Sequence, residues 1–562
     1  MFALYPGVVY KIRMLTLATI LDNPGEPQPD TRYRDPHELK ALGYNGLIIY
    51  ETTGLSGVAS PDVIGTGEMR RWVERQFEQV HHTIQRARQA GLAVYIVYDT
   101  ISLARGVVEK NESQFVCRGR PANLCPASEA TLVQSLAGLE SLLTQWPELA
   151  GVVLRFGDND AARLPYLVGN DIYVPHCARC AQLGRADRIS LVLEHFHQLV
   201  VGRLGKRLIA RAWNVRPNGM HDTPELCTRL RDRLPGSPSD DRFVLSFKFS
   251  QADFWRYQVW NPSSLVLGQR PIIYELQCQR EFEGKGGIPN WQAPLWRDGF
   301  PESLEKQPVQ GLAQVARQVN LAGLWAWVRG GGWGGPFIKN ETWIDANVVT
   351  VPKLAEKPDA DAHTLAQEWV RERLRVTDQA ATAAILQTLE TSPQAVLEGF
   401  YVGPFARLRH SPWHPSGDWI QDDLLDAQAA WRMVQRLPDA DLDEVVREKQ
   451  ACVDRVAANR QAIQHAVNDA SRAPLEPLLN TLAYTESLCE TLRDLLAGLI
   501  AYRRYLKTHS PAHASLCKQR LLAAQSHWNL HTQRNGSLPG CATAFRESQF
   551  WELTQKILGE LG

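Results

Sequence analysis

The sequence has no excess of charge of one sign. Lysine plus arginine and aspartate plus glutamate each number 61 among the 562 residues, so the formal net charge is zero. A nucleic-acid-binding surface needs a positive field, and this composition does not provide one. We therefore expect no nucleic-acid partner.

Long hydrophobic runs are absent as well. No segment approaches the roughly 18 consecutive apolar residues that indicate a membrane-spanning helix. The first residues, "MFALYPGVVYKIRMLTLAT", lack the cationic start, apolar block and small-residue cleavage site of a signal peptide. We expect no membrane partner and a cytoplasmic protein.

The first predicted strand is not followed by a glycine-rich turn, which argues against a dinucleotide-binding sheet. Short β-branched and aromatic runs instead alternate with amphipathic helices over the first 335 residues. The predicted strands are Tyr10–Ala18, Asn45–Glu51, Ala93–Asp99, Gly151–Gly157, Arg207–Asn214, Arg242–Phe249, Pro271–Gln279 and Ala322–Gly330. Such alternation is typical of the α/β class, and here of a (β/α)8 TIM barrel, which we place at residues 1–350.

Strand patterns are lacking after about residue 355. One apolar helical stripe there is formed by Leu478, Leu482, Cys489, Leu492, Leu496 and Leu499. Apolar residues that recur at helical spacing are typical of a buried core or of a dimer interface. We predict an all-helical C-terminal domain over residues 351–562, and a homodimer through this domain is one expectation.

The ends of the predicted strands carry charged residues. They are Glu51, Asp99, Asp158, Arg211, Lys248, Glu275 and Glu281. In a (β/α)8 barrel the chemistry takes place at the C-terminal ends of the strands. Carboxylates and cations collected at one rim suit a pocket for a polar substrate.

The stretch "ELQCQREFEGKG" at Glu275–Gly286 carries three glutamates after the buried run "PIIY". The two-residue period of an extended chain places Glu275 and Glu281 on one face, and Glu281 is nearer the C-terminal end. The preceding strand unit supplies Lys248 and Asp253. Paired carboxylates beside a cation suit activation of water next to an acidic sugar, which favours glycoside hydrolysis.

At these residues the sequence resembles the α-glucuronidases of glycoside hydrolase family 67. The stretch from Glu275 is similar to that family's E-F-Q-I-T-Q-E-Y-L-G, and "WQAPLWRDGF" is similar to its Y-L-A-P-M-W-K-E. The segment "FKFSQADFW" resembles I-K-N-G-P-M-D-F-Q, which aligns Lys248 and Asp253 with the family's lysine and aspartate. "IARAWNV" resembles the segment that supplies an arginine, here Arg211. The likeness keeps its order over roughly residues 35 to 420.

The resemblance implies an exo-acting, inverting hydrolase that removes α-glucuronic or 4-O-methylglucuronic acid from xylo-oligosaccharides. Asp253 and Glu281 would hold the attacking water. Lys248 and Arg211 would bind the uronic carboxylate and the ring hydroxyls, because arginine matches a carboxylate bidentately and lysine acts as a point charge. Glu275, which lies deeper, would position other groups, with Lys248 as one candidate.

The sequence departs from the family pattern at three places. The family's general acid is a glutamate, but "LRFGDND" has none: the residue count falls on Asn159, so Asp158, or alternatively Asp160, is the predicted acid. The family's N-terminal domain has no counterpart, because the predicted barrel begins almost at Met1. The segment after the eighth strand reads "RGGGWGGPFIKNETW", in which Arg329 and Trp333 are predicted to bind substrate.

These departures leave two alternatives open. One is a glycosidase of different sugar specificity on the same barrel. The other is a carbohydrate-binding barrel without catalysis, which the missing glutamate motivates. In either case the expected partner is an oligosaccharide.

Cysteine is scarce: ten residues are too few for a disulfide scaffold in a chain of this length. Cys177 and Cys180 form one C-x-x-C, and Cys117 and Cys125 would complete four thiolates. A single C-x-x-C without a second such pair is a weak metal signal. We expect no cofactor, with a structural zinc at these four cysteines as the alternative to free thiols.

Overall fold

The structure is a computed structural model that describes most of the chain. The described residues are 14–157, 159, 164–215, 217–303, 305–307, 310–331, 339–408, 415–417, 419–421, 424–468, 471–535 and 548–562. The predicted acid Asp158, its alternative Asp160 and the predicted stacking residue Trp333 lie outside the described residues.

The strands of the described residues fall into three sheets. In chain order they are β1 (Leu15–Leu21), β2 (Gly46–Ile49), β3 (Ala93–Asp99), β4 (Ser102–Ala104), β5 (Val116–Cys117), β6 (Arg120–Leu124), β7 (Gly151–Arg155), β8 (Leu167–Gly169), β9 (Arg207–Arg211), β10 (Phe243–Lys248), β11 (Pro271–Gln277), β12 (Asn320–Gly330), β13 (Ile420–Gln421) and β14 (Leu424–Leu425).

Eight parallel strands close into a barrel in the order β1-β12-β11-β10-β9-β7-β3-β2. The barrel register pairs Lys248 of β10 with Glu275 of β11, and Ser246 of β10 with Arg211 of β9. Glu275 is paired in turn with Trp325 of β12. The predicted (β/α)8 barrel is confirmed, and the register brings the charged ends of β9, β10 and β11 side by side.

A second sheet, in the order β4-β8-β6-β5, stands beside the barrel and was not predicted. Its strands belong to the connections that follow β3 and β7, and β5 and β6 form an antiparallel hairpin. The sheet therefore links two neighbouring connections on the side of the barrel where its strands end.

The helices of the barrel cover its outer face. They are α1 (Pro36–Ala41), α2 (Glu68–Gln89), α3 (Arg105–Lys110), α4 (Glu112–Phe115), α5 (Glu129–Gln145), α6 (Ala178–Ala181), α7 (Arg185–His197), α8 (Pro224–Arg231), α9 (Ala293–Asp298), α10 (Leu312–Val315) and α11 (Thr342–Glu356). Helix α2 buries the stripe from Val73 to Ala87 that its spacing predicts. Gly91, just after it, has a φ of 77°, which ends the helix at low cost.

The described residues after α11 form helices, apart from the short hairpin of β13 and β14 and the connections between these elements. The α-helices are α12 (Ala362–Trp369), α13 (Gln379–Phe400), α14 (Gly403–Leu408), α15 (Ala427–Arg436), α16 (Leu442–His465), α17 (Arg472–Thr508), α18 (Pro511–Asn535) and α19 (Ser548–Glu560). The predicted leucine stripe lies on α17, where Leu478, Leu492 and Leu499 are fully buried. Because α17 packs against α16 and α18 of the same chain, the stripe is core. A homodimer through another face stays a prediction.

The helical region also contacts the barrel close to the ends of its strands. The hydroxyl of Tyr401, at the end of α13, accepts a hydrogen bond from the Arg256 amide at 3.0 Å. Ser392 of α13 accepts one from the Trp291 amide at 2.9 Å. Among the described residues, no helix is long and apolar enough to cross a membrane.

Candidate functional site

The floor of the candidate site is a buried ion pair between neighbouring strands. Arg211 at the end of β9 contacts Glu275 of β11 through Nε at 3.0 Å and Nη2 at 2.9 Å, and both side chains are fully buried. Ser246, on the strand between them, donates a hydrogen bond to Glu275 at 2.8 Å. Glu275 therefore positions Arg211; Lys248, the partner that the sequence suggested for it, pairs elsewhere.

Lys248, at the end of β10, forms an ion pair with Asp253 of the following loop. Its ammonium lies 3.5 Å from the ring centroid of Trp213, 4.5 Å from that of Phe254 and 5.2 Å from that of Trp327. A cation over aromatic faces is attracted by their negative quadrupole, and a dry surrounding strengthens the attraction. These three rings hold the ammonium in place, while the side chain of Asp253 remains 16% exposed.

Glu281 lies on the loop after β11, close to the Gln277 side chain and to Gly331. Its amide donates to Oε1 of Gln277 at 3.0 Å. Gly331 has a φ of 87°, which favours glycine, and a Cβ there would lie 2.5 Å from Glu281 Oε2. Arg280, one residue earlier, adopts a φ of 58°, which is strained for a residue with a side chain. The strained backbone and the close glycine together fix the direction of Glu281.

A buried network holds the loop that carries Glu281. Glu283 accepts from Nε and Nη2 of Arg280 at 2.9 and 2.7 Å, from Asn290 at 2.6 Å and from the Tyr401 hydroxyl at 2.6 Å. Although burial opposes ionisation, the charge and hydrogen bonds of Arg280 hold the pKa of Glu283 below its ordinary value. The third glutamate of the stretch therefore keeps the loop in place.

The loops after β10 and β11 are joined by aromatic stacking. Trp255 and Phe282 stack at 3.9 Å between ring centroids with planes 8° apart. Trp255 follows Asp253 by two residues and Phe282 follows Glu281 by one. The stack brings together the loops that carry the two predicted carboxylates, and Tyr401 packs edge-on against Trp255 at 6.4 Å.

A separate buried network of an ion pair and hydrogen bonds lies at the ends of β3 and β7. Arg155 contacts Asp99 through Nε at 2.6 Å and Nη2 at 3.0 Å, and donates to the Tyr50 hydroxyl at 2.6 Å. Both charged side chains are at most 1% exposed. Asn159 follows β7, and its amide donates to the carbonyls of Ile101 at 3.3 Å and Asn170 at 3.5 Å. The asparagine at the place of the expected acid thus bonds to backbone.

Arg329, near the end of β12, has a carboxylate partner at the barrel rim. Its Nε lies 3.1 Å from Glu341 Oε1, and Arg329 is fully buried. A cavity of about 650 Å³ opens beside Glu341 and is lined also by Arg32, Asp345 and Arg373. Arg329 is predicted to bind substrate, and because it is buried, it would do so from below the Glu341 carboxylate.

A carboxylate pair stands at the ends of β1 and β2. Asp22 accepts two hydrogen bonds from Arg34, both at 2.8 Å. Burial, and then the charge of Asp22, raise the pKa of Glu51 to about 7. The pair borders a cavity of about 260 Å³ that also touches His82 and Arg86 of α2. It belongs to the outer edge of the barrel.

Sequence reasoning missed the aromatic and histidine side chains around Lys248. Trp213 follows Arg211 by two residues, and Trp327 precedes Arg329 by two, so the two-residue period of a strand was the signal that would have found them. His221 lies with its ring centroid 4.6 Å from that of Trp213. Burial, and then the charges of Lys248 and Arg211, lower the pKa of His221 well below its ordinary value. The imidazole beside these cations is therefore neutral.

No protein-family model and no curated protein matches the sequence. Among solved structures, a glycoside hydrolase family 138 enzyme targeting pectin rhamnogalacturonan II matches with a TM-score of 0.58 and 12% identity over 98% of this chain and 83% of that chain. An O-GlcNAc hydrolase of Thermobaculum terrenum matches with a TM-score of 0.44 and 10% identity over 97% and 94% of the two chains. At such low identity these likenesses show the fold alone.

Proposed function

We propose that the chain is an exo-acting, inverting glycoside hydrolase that removes a uronic acid, glucuronic or 4-O-methylglucuronic acid, from plant-type oligosaccharides such as xylo-oligosaccharides. The observation that carries this proposal is the placement of Asp253 and Glu281 on stacked loops of adjacent barrel strands, beside the caged Lys248. The fold likeness to an enzyme that targets pectin rhamnogalacturonan II is consistent with it.

Asp253 and Glu281 are proposed to hold and activate the attacking water. Among the described residues, Oδ1 of Asp253 accepts hydrogen bonds from the Lys248 ammonium and from the Phe254 amide, the latter at 2.8 Å. Oδ2 would then accept from water. Two carboxylates that share one water orient its lone pair and take its proton, which is general-base catalysis.

Lys248 is the proposed contact for the substrate carboxylate. Three aromatic rings already hold its ammonium in place. Binding of an anion by Lys248 would therefore cost little additional conformational entropy. Arg211 lies at the floor, 4.8 Å from the Trp327 ring centroid, and supports the sugar from below. Glu275 positions Arg211, and Arg329 and Trp333 are proposed to complete the binding surface.

Asp158 is the proposed general acid, with Asp160 as the alternative. An inverting enzyme leaves room for water between acid and base, with carboxyl groups about 6.5–9.5 Å apart. In the sequence Asp158 follows the end of β7 by three residues, and β7 is two strands from β10 and three from β11 in the closed barrel. A proton donor there would face Asp253 and Glu281 across the mouth.

The test is hydrolysis of matched uronic and neutral substrates by the intact protein and its variants. We expect release of uronic acid from aldouronic oligosaccharides and from p-nitrophenyl glucuronide, with inversion seen by proton NMR of the first product. Asp253→Asn and Glu281→Gln should each lower kcat about 10²- to 10⁴-fold while circular dichroism stays unchanged. Asp232→Asn, at an exposed carboxylate after α8, is the matched control and should keep wild-type turnover.

Two results would contradict this assignment. Near-wild-type turnover of either site variant would remove that carboxylate from the chemistry. Cleavage of neutral sugars alone would remove the anion-binding role of Lys248 and leave a glycosidase of different specificity.

A carbohydrate-binding barrel without catalysis is the second candidate, and Asn159 favours it. This residue stands where the family resemblance places the acid, and a carboxamide has no acidic proton to give. Calorimetric binding of an aldouronic oligosaccharide, with no product after prolonged incubation, would support this candidate. Any turnover that Asp158→Asn abolishes would exclude it.

A further inference from the structure

Four cysteines meet beside the second sheet. Cys117 ends β5, Cys125 directly follows β6, and Cys177 and Cys180 stand at the start of α6. The β5–β6 hairpin comes from the connection after β3, whereas α6 comes from the connection after β7. Residues 52 or more positions apart in the sequence are thus brought together by the fold.

The four sulfur atoms all lie within 4.8 Å of one another, which is close enough for them to share one ion. Cys117 is 3.9 Å from Cys180, Cys125 is 3.7 Å from Cys177, and Cys177 is 3.6 Å from Cys180. Four sulfurs at the Zn–S distance of about 2.3 Å from one ion have neighbours about 3.8 Å apart.

The same distances do not suit disulfides. A disulfide brings two sulfurs to about 2.05 Å and separates them from a second pair. Here Cys177 approaches both Cys125 and Cys180 to nearly the same distance. An arrangement in which one sulfur has two equal neighbours fits a shared ion at the centre.

Donors around the sulfurs fit the charge of such a centre. The amides of His176 and Cys177 point at Cys180 Sγ from 3.2 and 3.3 Å. Arg179 Nε donates to Cys125 Sγ at 3.3 Å. Four thiolates around a divalent ion carry a net charge of −2, which nearby N–H groups and a guanidinium offset. The cluster also packs apart from the main core, with Ala127 as its apolar neighbour.

We propose that Cys117, Cys125, Cys177 and Cys180 bind one structural zinc ion. Four protein ligands leave no position for a substrate, so this ion would act on the fold. It would join the connection after β3 to the connection after β7, and the latter contains the positions of Asp158 and Asp160. Arg188 of α7 anchors the α6 turn through the carbonyls of Ile172 at 3.0 Å and Leu183 at 2.6 Å.

The experiment is elemental analysis of the full chain, purified without a metal-affinity tag. We expect about one zinc per chain, released when a mercurial modifies the thiols. The double variant Cys177→Ser/Cys180→Ser should lose the zinc, and its thermal unfolding midpoint should fall by several degrees. Cys517→Ser, at a buried cysteine of the helical region, is the matched control and should keep the full zinc content.

A readout on the wild type keeps the test decisive if the double variant does not fold. Alkylation by iodoacetamide should spare these four thiols until a chelator removes the ion, and mass spectrometry locates the labels. Absence of bound zinc after incubation of the reduced protein with zinc chloride would overturn the proposal. So would a stoichiometric iron with thiolate absorption bands, or disulfides among the four cysteines in protein purified under non-reducing conditions.

Discussion

The ion pairs on two sides of the barrel mouth differ in how far they are buried. On the β3 and β7 side, Asp99 and Arg155 face each other in a closed bidentate pair, at most 1% exposed. On the β10 and β11 side, Lys248 is caged, but Asp253 keeps 16% of its side chain exposed. A closed pair can only stabilise the barrel, whereas a half-open pair leaves an oxygen for water or substrate. Activation of the attacking water is therefore expected on the second side, whereas the proposed general acid, Asp158, follows β7 in the sequence.

The largest expected effect separates the two sides by changing one aspartate on each. Asp99→Asn leaves the Arg155 guanidinium buried without its counter-charge, which costs about 3–5 kcal/mol of unfolding free energy. Asp253→Asn should cost less stability than Asp99→Asn while it lowers kcat, because three aromatic rings still stabilise the Lys248 ammonium and Asp253 is itself 16% exposed. Urea unfolding measures the first quantity and steady-state kinetics the second. Equal losses of stability in the two variants would refute the contrast.

A second effect is expected at Glu51, on the outer edge of the first side. Its folded pKa of about 7 lies above the ordinary 4.5. The folded state therefore holds a proton that the unfolded state releases between these values, and stability falls as pH rises from about 4.5 to 7. The loss amounts to about 3 kcal/mol.

Glu51→Gln should remove this pH dependence. Relative to the wild type, the variant should gain stability at pH 8 and show little difference at pH 4.5. Chemical unfolding at a series of pH values measures the slope. His37→Gln, at an exposed side chain of α1, serves as the control that should leave the slope unchanged. A slope that survives in Glu51→Gln would assign it to another group.

The smallest effect tests how the helical region supports the second side. Tyr401→Phe removes the hydrogen bond that the hydroxyl donates to the buried Glu283 and the one that it accepts from the Arg256 amide, and should cost about 1.5–3 kcal/mol. Because Glu283 holds the loop of Glu281, we also expect a lower kcat with little change in KM. Tyr505→Phe, on α17, is the matched control. Unchanged kcat in Tyr401→Phe would show that the loop keeps its position without this contact.

Local sequence patterns predicted the strands of the barrel better than they predicted the residue at which each strand ends. Ala93–Asp99 was predicted with the observed bounds, because a short β-branched and aromatic run that follows Gly91 and ends at an aspartate favours a strand. The predicted strand Asn45–Glu51 continues past its observed end at Ile49, and Glu51 starts a 3₁₀ turn instead. The pattern of side chains does not show at which residue the backbone hydrogen bonds between neighbouring strands end.

The candidate site was predicted in part. Even spacing predicted that Glu275 and Glu281 share one strand face, but β11 ends at Gln277 and Glu281 lies on the loop after it. Spacing also does not say which partner each carboxylate takes. The register places Lys248 level with Glu275, and Ser246 and Arg211 level with Ile273, two residues earlier. Glu275 nevertheless pairs with Arg211, which lies two strands away, and not with its register neighbour Lys248. Glu283 pairs with Arg280 and Tyr401 because the helical region folds back onto the loop.

The sequence alone determined the fold class and the strands whose ends carry charge, since hydrophobic periodicity and polar punctuation are local properties. Only the tertiary structure decided which charges are closed pairs, which carboxylate stays open, and that the sulfur atoms of four cysteines from two connections lie within 4.8 Å of one another. Those outcomes depend on strand register and on loops packed from distant parts of the chain, and neither is encoded in a window of neighbouring residues.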